Sequence, residues 1–170
     1  MRLTSLQQDH NAIENGDWEE PGEPWTDPKN PEKNLRLKVR GYGDAYNDRV
    51  SKAQEILVRE ARRDGRIKGK QGYTDLPLSE RNAIGDEIHL DFILIDVENA
   101  EGANGQPLTV AQYRELARKP GFRTLIEAIY VAAGAVTERR AKERADAEGN
   151  STGSSSSAST ADLKPEISAT

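Results

Sequence analysis

Large apolar residues in this chain recur at spacings of three and four over four stretches and at a spacing of two over one, so the sequence predicts packed helices with a minor β element. The period-two stretch is Leu35-Arg36-Leu37-Lys38-Val39-Arg40, where alternation puts Leu35, Leu37 and Val39 on one face of a strand. The first helical stripe runs through Tyr46, Val50, Ala53, Leu57 and Ala61, with Asp44 placed to cap it and Gly65 to stop it. A second helix, capped by Ser79, carries Ile84, Ile88, Phe92 and Ile95 on one face. Leu94 and Val97 broaden that stripe toward a break between Gly102 and Gly105, which predicts a central helix. Thr109 and Gln112 match a capping box, in which hydroxyl and amide satisfy each other's free backbone N–H groups, and a short helix over Val110 to Arg118 follows. Lys119-Pro120-Gly121 separates it from a last helix lined by Phe122, Leu125, Ile126, Ile129, Ala133 and Val136, expected to end near Arg144.

The flanks read differently. In residues 1–34 the Asn15-Gly16 pair marks a turn, and Pro21, Pro24, Pro28 and Pro31 prevent a helix, which predicts an extended arm with room for a short strand. Its large apolar anchors are Ile13, Trp18 and Trp25, and burial preference favours their docking on the chain's own core over docking on a partner. Residues 146–170 are rich in Ser, Thr, Ala and Gly and bury too little to offset the entropy of ordering, so a disordered tail is expected. The domain proper is thus a helical unit over 35–145, with about four helices and one or two N-terminal strands. At 170 residues one hydrophobic core is the expectation.

Composition narrows the function classes. A net charge of -5 repels phosphate backbones over most of the surface and favours protein partners over nucleic acid. The absence of cysteine excludes disulfides, thiolate metal sites and thiol nucleophiles. The opening residues lack the apolar stretch of a signal peptide, and the longest apolar run, Ala128 to Val136, is far short of a membrane span; a cytosolic protein is expected.

Four stretches look chemical in print. Gly41-Tyr42-Gly43-Asp44-Ala45-Tyr46 follows a strand and opens a helix as a dinucleotide fingerprint does, but Tyr46 stands at the third glycine, and a tight strand-to-helix turn is the simpler reading. Gly65 to Gln71 lacks the spacing and the Ser/Thr of a phosphate loop. From Arg59 to Lys70 six basic residues (59, 62, 63, 66, 68, 70) face two acidic ones, a patch suited to nucleic acid or an acidic protein, yet no aromatic residue interleaves it for stacking. Asp86, Glu87, His89 and Asp91 point in different directions on a helix, so no metal site is expected. No serine, histidine and carboxylate converge; neither a catalytic constellation nor a cofactor is expected, and the chain reads as a binding protein. Small residues along the last helix, Ala128, Ala132, Ala133, Gly134 and Ala135, permit close approach by another helix, from this chain or from a partner.

Four stretches resemble the tail assembly chaperones of tailed bacteriophages: Ala12 to Glu20 (AIENGDWEE), Leu35 to Asp48 (LRLKVRGYGDAYND), the acidic end of the central helix with its Gly105-Gln106-Pro107-Leu108-Thr109 link, and Lys119-Pro120-Gly121-Phe122 leading into the alanine-rich helix. Where such proteins often carry a tryptophan after the central helix, this chain has Val97, and its proline-rich stretch 21–34 is unusual. The resemblance implies a non-enzymatic protein of the bacterial host cytoplasm, absent from the mature virion. Copies of it would coat the tape measure protein and recruit tail tube subunits, with homo-oligomers possible. Phe92, Ile95, Leu116, Phe122, Ile126 and Ile129 then become the expected partner contacts, in a groove between the central and last helices. Two rival readings stay open: a virion component such as a head-tail connector or tail completion protein, and a small nucleic-acid-binding regulator using Arg59 to Lys70.

Overall fold

A computed structural model describes residues 15–151, with side chains through 147. Ile13 and most of the 146–170 tail lie outside the described residues. The chain divides into two compact units, through Arg139 and from Arg140 onward, and the sheet and the hydrophobic core belong to the first.

Three strands form an antiparallel sheet in the order β1-β2-β3: β1 Asp17–Glu19, β2 Arg36–Val39 and β3 Leu94–Glu98. Four α-helices accompany it among the described residues: α1 Asp44–Arg63, α2 Leu78–Ile88, α3 Val110–Ala117 and α4 Arg123–Ser151. The mainly α class with a minor β element therefore holds, and α4 runs seven residues past the expected end at Arg144.

Alternation in β2 does what its pattern dictates. Leu37 and Val39 are wholly buried while Arg36 and Lys38 are half-exposed, and each buried aliphatic of this size is worth about 1.5–3 kcal/mol against leaving it in water. On the opposite face the register pairs Lys38 with Trp18 on one side and Asp96 on the other, and the Arg36 guanidinium lies 5.4 Å from the Trp18 ring. Trp25 packs on the main core, so this stretch of the N-terminal region is stitched to the domain. Asn34 adds polar anchorage: its side chain accepts from the Asp27 N–H and donates to Glu20, and Asn99 donates to its carbonyl.

Helix ends follow their local chemistry. Gly43 and not Asp44 occupies the cap of α1, leaving Asp44 in the first turn beside the N-terminal partial charge. At the other end Gly65 has φ +73°, the Gly65 N–H reaches the Arg62 carbonyl and the Arg66 N–H reaches the Ala61 carbonyl, which is the pair of bonds of a Schellman stop. Pro77, not Ser79, precedes α2. The capping box at Thr109 and Gln112 forms as the residues require, with bonds of 2.9 and 3.3 Å.

One expectation is overturned. The central helix does not run from Ser79 to Val97: α2 stops at Ile88, widens into a π-helical turn over His89–Ile93, and becomes β3 at Leu94. Leu94, Asp96, Val97 and Glu98 pair with β2, with a bulge at Lys38/Val39. Helical spacing was not the deciding factor because a short apolar run with β-branched Ile95 and Val97 suits either state, and the open edge of β2 needs a partner. The conversion frees carbonyls, and two arginines take them. Arg114 donates from Nε to the Leu90 carbonyl and from a terminal nitrogen to that of Leu94, both at 2.7 Å; Arg40 donates through its side chain to Phe92 and through its backbone to Ile93.

The core lies between the sheet and the helices and is built around Leu37, Val39, Leu90, Ile93, Leu94, Tyr113, Ile129 and Val136. Ala128, Ala132 and Ala133 are fully buried in it, so the small residues of α4 serve contacts within this chain. A satellite cluster of Ala61, Ile67 and Leu76 closes the far end of α1.

Replacing Arg114 by Met should leave the Leu90 and Leu94 carbonyls short of partners and lower stability in urea unfolding by about 2–4 kcal/mol. Lys at the same position should recover less than half of that loss, because a single ammonium cannot reproduce the fork that spans two carbonyls.

Candidate functional site

The six residues expected to contact a partner do not form one surface. Ile129 is fully buried and Ile126 nearly so, because α4 turns that face to Leu90 and Ile93 and the anticipated groove is filled by the chain's own core. Both are corrected from partner contacts to core residues. Ile95 is half-buried on the sheet, close to Gly16. Leu116 lines a narrow cleft of about 180 Å³ with Trp25, Leu35, Leu108, Tyr113 and Leu125. Phe122 stands 41% exposed before α4. Ile126 also edges a cleft of about 280 Å³ with Leu90, Ala117 and Arg118, and Phe92 lines a larger, open groove.

That groove, about 510 Å³, runs between α1 and the end of α2 with its π turn. Ala53 and Ile56 come from α1, Ile88 and Phe92 from the other side, and they form an apolar floor; Ile56 is 52% exposed. Arg49 and Lys52 stand on the α1 side, Glu87 and Asp91 on the other. Spacing explains the arrangement, since 49, 52, 53 and 56 share one face of α1 and 87, 88, 91 and 92 share one face across the α2–π junction. The π turn contributes by adding a residue to the helical repeat just before Phe92 leaves for the strand. Two cations contact Phe92, with the Arg49 guanidinium 4.4 Å and that of Arg40 4.7 Å from its ring centre. Cation–π contacts of this kind contribute roughly 0.5–2 kcal/mol and fix the ring without covering it with aliphatic groups.

The acidic side is itself fixed. Arg118 grips Glu87 with bonds of 3.1 and 2.7 Å and reaches Asp91 at 2.8 Å, and these two carboxylates raise its pKa. Asp86 turns away to Arg123 at 2.7 Å and to the Tyr130 hydroxyl. Glu87 and Asp91 thus share Arg118 while Asp86 and His89 are engaged elsewhere, and among the described residues no group of three His, Asp or Glu is placed to hold a metal ion.

His89, wholly buried, opens the π turn inside an aromatic cage: it stacks on Tyr130 at 3.5 Å and meets Tyr42 and Tyr46 edge-on. Its Nδ1 lies 2.7 Å from the Gly85 carbonyl, which can only accept, so Nδ1 carries the proton and Nε2 accepts from the Tyr42 hydroxyl at 2.9 Å. Burial lowers the His89 pKa below the ordinary 6.5, against the raising pull of the Gly85 carbonyl and of Asp86. Burial likewise pushes Tyr42 up to about 12. These groups are neutral at pH 7 and hold the turn in place.

The glycine-rich motif is a structural turn. The Tyr42 N–H donates to the Thr137 hydroxyl at 2.8 Å, and a Cβ at buried Gly41 would lie 3.1 Å from that oxygen, so Gly41 lets the chain cross α4 closely. In the Gly65–Gln71 stretch Ile67 is core, and the Lys68 N–H is taken by the Gln71 side chain. Of the basic run, Arg62 binds the Gln71 carbonyl, Arg63 pairs with Asp64, and Arg66 pairs with Glu80 and Asp64.

Sequence reasoning missed Arg49, Lys52, Ile56 and Ile88 as groove residues. The signal was present: Ile56 widens the main α1 stripe beside Ala53 and Leu57, and two cations, Arg49 and Lys52, stand one turn earlier. No protein-family model, curated protein or solved structure matches the chain. Among the described residues, no helix is long and apolar enough to cross a membrane.

Because His89 binds a proton more readily unfolded than folded, its contribution to stability is complete above pH 6.5 and declines as pH falls below it. Unfolding free energies from urea titrations between pH 7.5 and 5.5 should fall toward the acid end, by at most about 1.4 kcal/mol per pH unit for this one proton. His89→Gln should flatten that dependence.

Proposed function

We propose that this chain is a tail assembly chaperone of the tailed-bacteriophage type, a non-enzymatic protein that binds the tape measure protein and recruits tail tube subunits. The observation that carries the reading is the apolar groove between α1 and the π turn. An open floor of Ala53, Ile56, Ile88 and Phe92, rimmed by charge, suits the apolar stripe of a helix better than a small substrate. The residues that resemble the family support it from the other direction, since Leu35 to Asp48 builds β2, the Gly41 crossing and the start of α1. A soluble carrier for a long helical protein needs an exposed apolar seat and charges that keep it from self-association, and this chain combines the two at a net charge of -5. The seat belongs to the host cytoplasm stage of assembly on this reading.

Co-expression of the full chain with the long helical protein encoded immediately downstream should give a complex that co-elutes in size exclusion and keeps that protein soluble. If the two do not associate and the chain is instead found by mass spectrometry in purified particles, the connector reading replaces this one.

A further inference from the structure

The groove has a polarity that selects its occupant. On the α1 side Arg49 and Lys52 are both cations, one helical turn apart; on the facing side Glu87 and Asp91 are both anions, also one turn apart. Arg118 binds the two carboxylates and offsets one of their charges, so the facing side retains about one negative charge while the α1 side retains two positive ones. Between them the apolar pairs Ala53 with Ile56 and Ile88 with Phe92 run for one turn on each side. The Arg49 guanidinium lies over the Phe92 ring, 4.4 Å from its centre, so one cation borders the floor as well as the rim.

We infer that this groove receives an amphipathic helix of a partner protein whose apolar stripe is bordered by acidic residues on the edge meeting α1 and by basic residues on the edge meeting Glu87 and Asp91. The inference rests on the chaperone reading and adds which face of the chain is used, which helix chemistry it accepts and in which orientation. Opposed charge on the two sides makes the seat directional: a helix entered the other way round places like charges together on both edges, and such juxtaposition is strongly unfavourable when solvent is excluded. The same polarity argues against a nucleic-acid strand or an anionic lipid surface, because either would meet the carboxylates of one side while contacting the cations of the other. A helix of about two turns, some 10 Å, covers the floor, so one apolar residue and its neighbours at i+3 and i+4 suffice for recognition.

The test uses the full chain co-expressed with the downstream-encoded helical protein. A photo-crosslinking amino acid replaces Ile56 in one variant and Leu78, which is exposed outside the groove, in another. The expected result is a crosslink to the partner from position 56 and none from position 78. Lys52→Glu and the double variant Arg49→Glu/Lys52→Glu should weaken binding on the order of tenfold at low salt, less at high salt, with circular dichroism and melting confirming that the variants remain folded. If Arg49→Glu disturbs the Phe92 contact and the fold, Lys52→Glu alone decides, since Lys52 lies at the rim. Retention of the partner with no crosslink from position 56 and no effect of Lys52→Glu overturns the groove assignment and leaves the chaperone reading standing. Failure of the wild-type chain to retain the partner overturns both. Equal binding of the charge-reversed chain in the presence of a crosslink at 56 overturns the polarity and with it the proposed partner chemistry.

Discussion

The fold turns on four carbonyl groups. A helix that becomes a strand without a loop must abandon its i to i+4 bonds within a few residues, and each buried carbonyl left without a donor costs about 1–3 kcal/mol. Between His89 and Leu94 the π turn takes up part of the change, and the carbonyls of Leu90, Phe92, Ile93 and Leu94 are met by Arg114 and Arg40. One of these arginines comes from the end of β2 and the other from α3, so the closed junction depends on both the sheet and α3. Local conformation and tertiary contacts are therefore one cooperative event here.

That junction also makes the candidate site. Because α2 ends in a widened turn, Phe92 emerges toward α1 while its neighbours Ile93 and Leu94 go to the core. The side chain of Arg40 both donates to the Phe92 carbonyl and lies against its ring, tying backbone and aromatic group to one guanidinium. On the inner side His89 locks the first residue of the turn through Gly85 and Tyr42. Gly85 is needed for this packing, since a Cβ there would come within 2.8 Å of the Tyr130 hydroxyl. The groove is a consequence of the helix-to-strand change, and its floor inherits the rigidity of the junction.

How far this could be read from residues alone differs from element to element. The alternation of Leu35 to Arg40, the Gly65 stop and the Thr109–Gln112 box rest on chemistry within a few positions, and each formed where its residues placed it, give or take one or two. The stretch from Leu94 to Val97 was not legible as a strand, because Ile88, Phe92 and Ile95 keep helical spacing straight through the change, and the reason for the strand is an open edge of β2 far earlier in the chain. Ile126 and Ile129 were legible as apolar and helical, but whether an apolar face meets the chain's own core or a partner depends on which other faces need covering, which no local pattern records. Ile56 illustrates the converse: it lies one position off the main α1 stripe, so it reads as a side residue although it stands in an open apolar seat.

Economy of apolar surface explains why such a seat persists in a folded chain. With two Phe and two Trp in 170 residues, the core is built largely from aliphatics and from alanines of α4 that let helix and sheet approach closely. Covering the α1–π groove internally would take a further amphipathic element, and among the described residues the segments of the first unit outside the helices and strands are mostly turns and proline-containing links. The chain instead borders the floor with charges of both signs. Cations beside Phe92 and carboxylates held by Arg118 border the floor on opposite sides, so a partner must present its charges in the matching order. They leave it favourable for a helix with the opposite arrangement. An apolar surface bordered by opposite charges discriminates among occupants by the layout of their charges, and in this chain that choice comes down to Arg49, Lys52, Glu87 and Asp91.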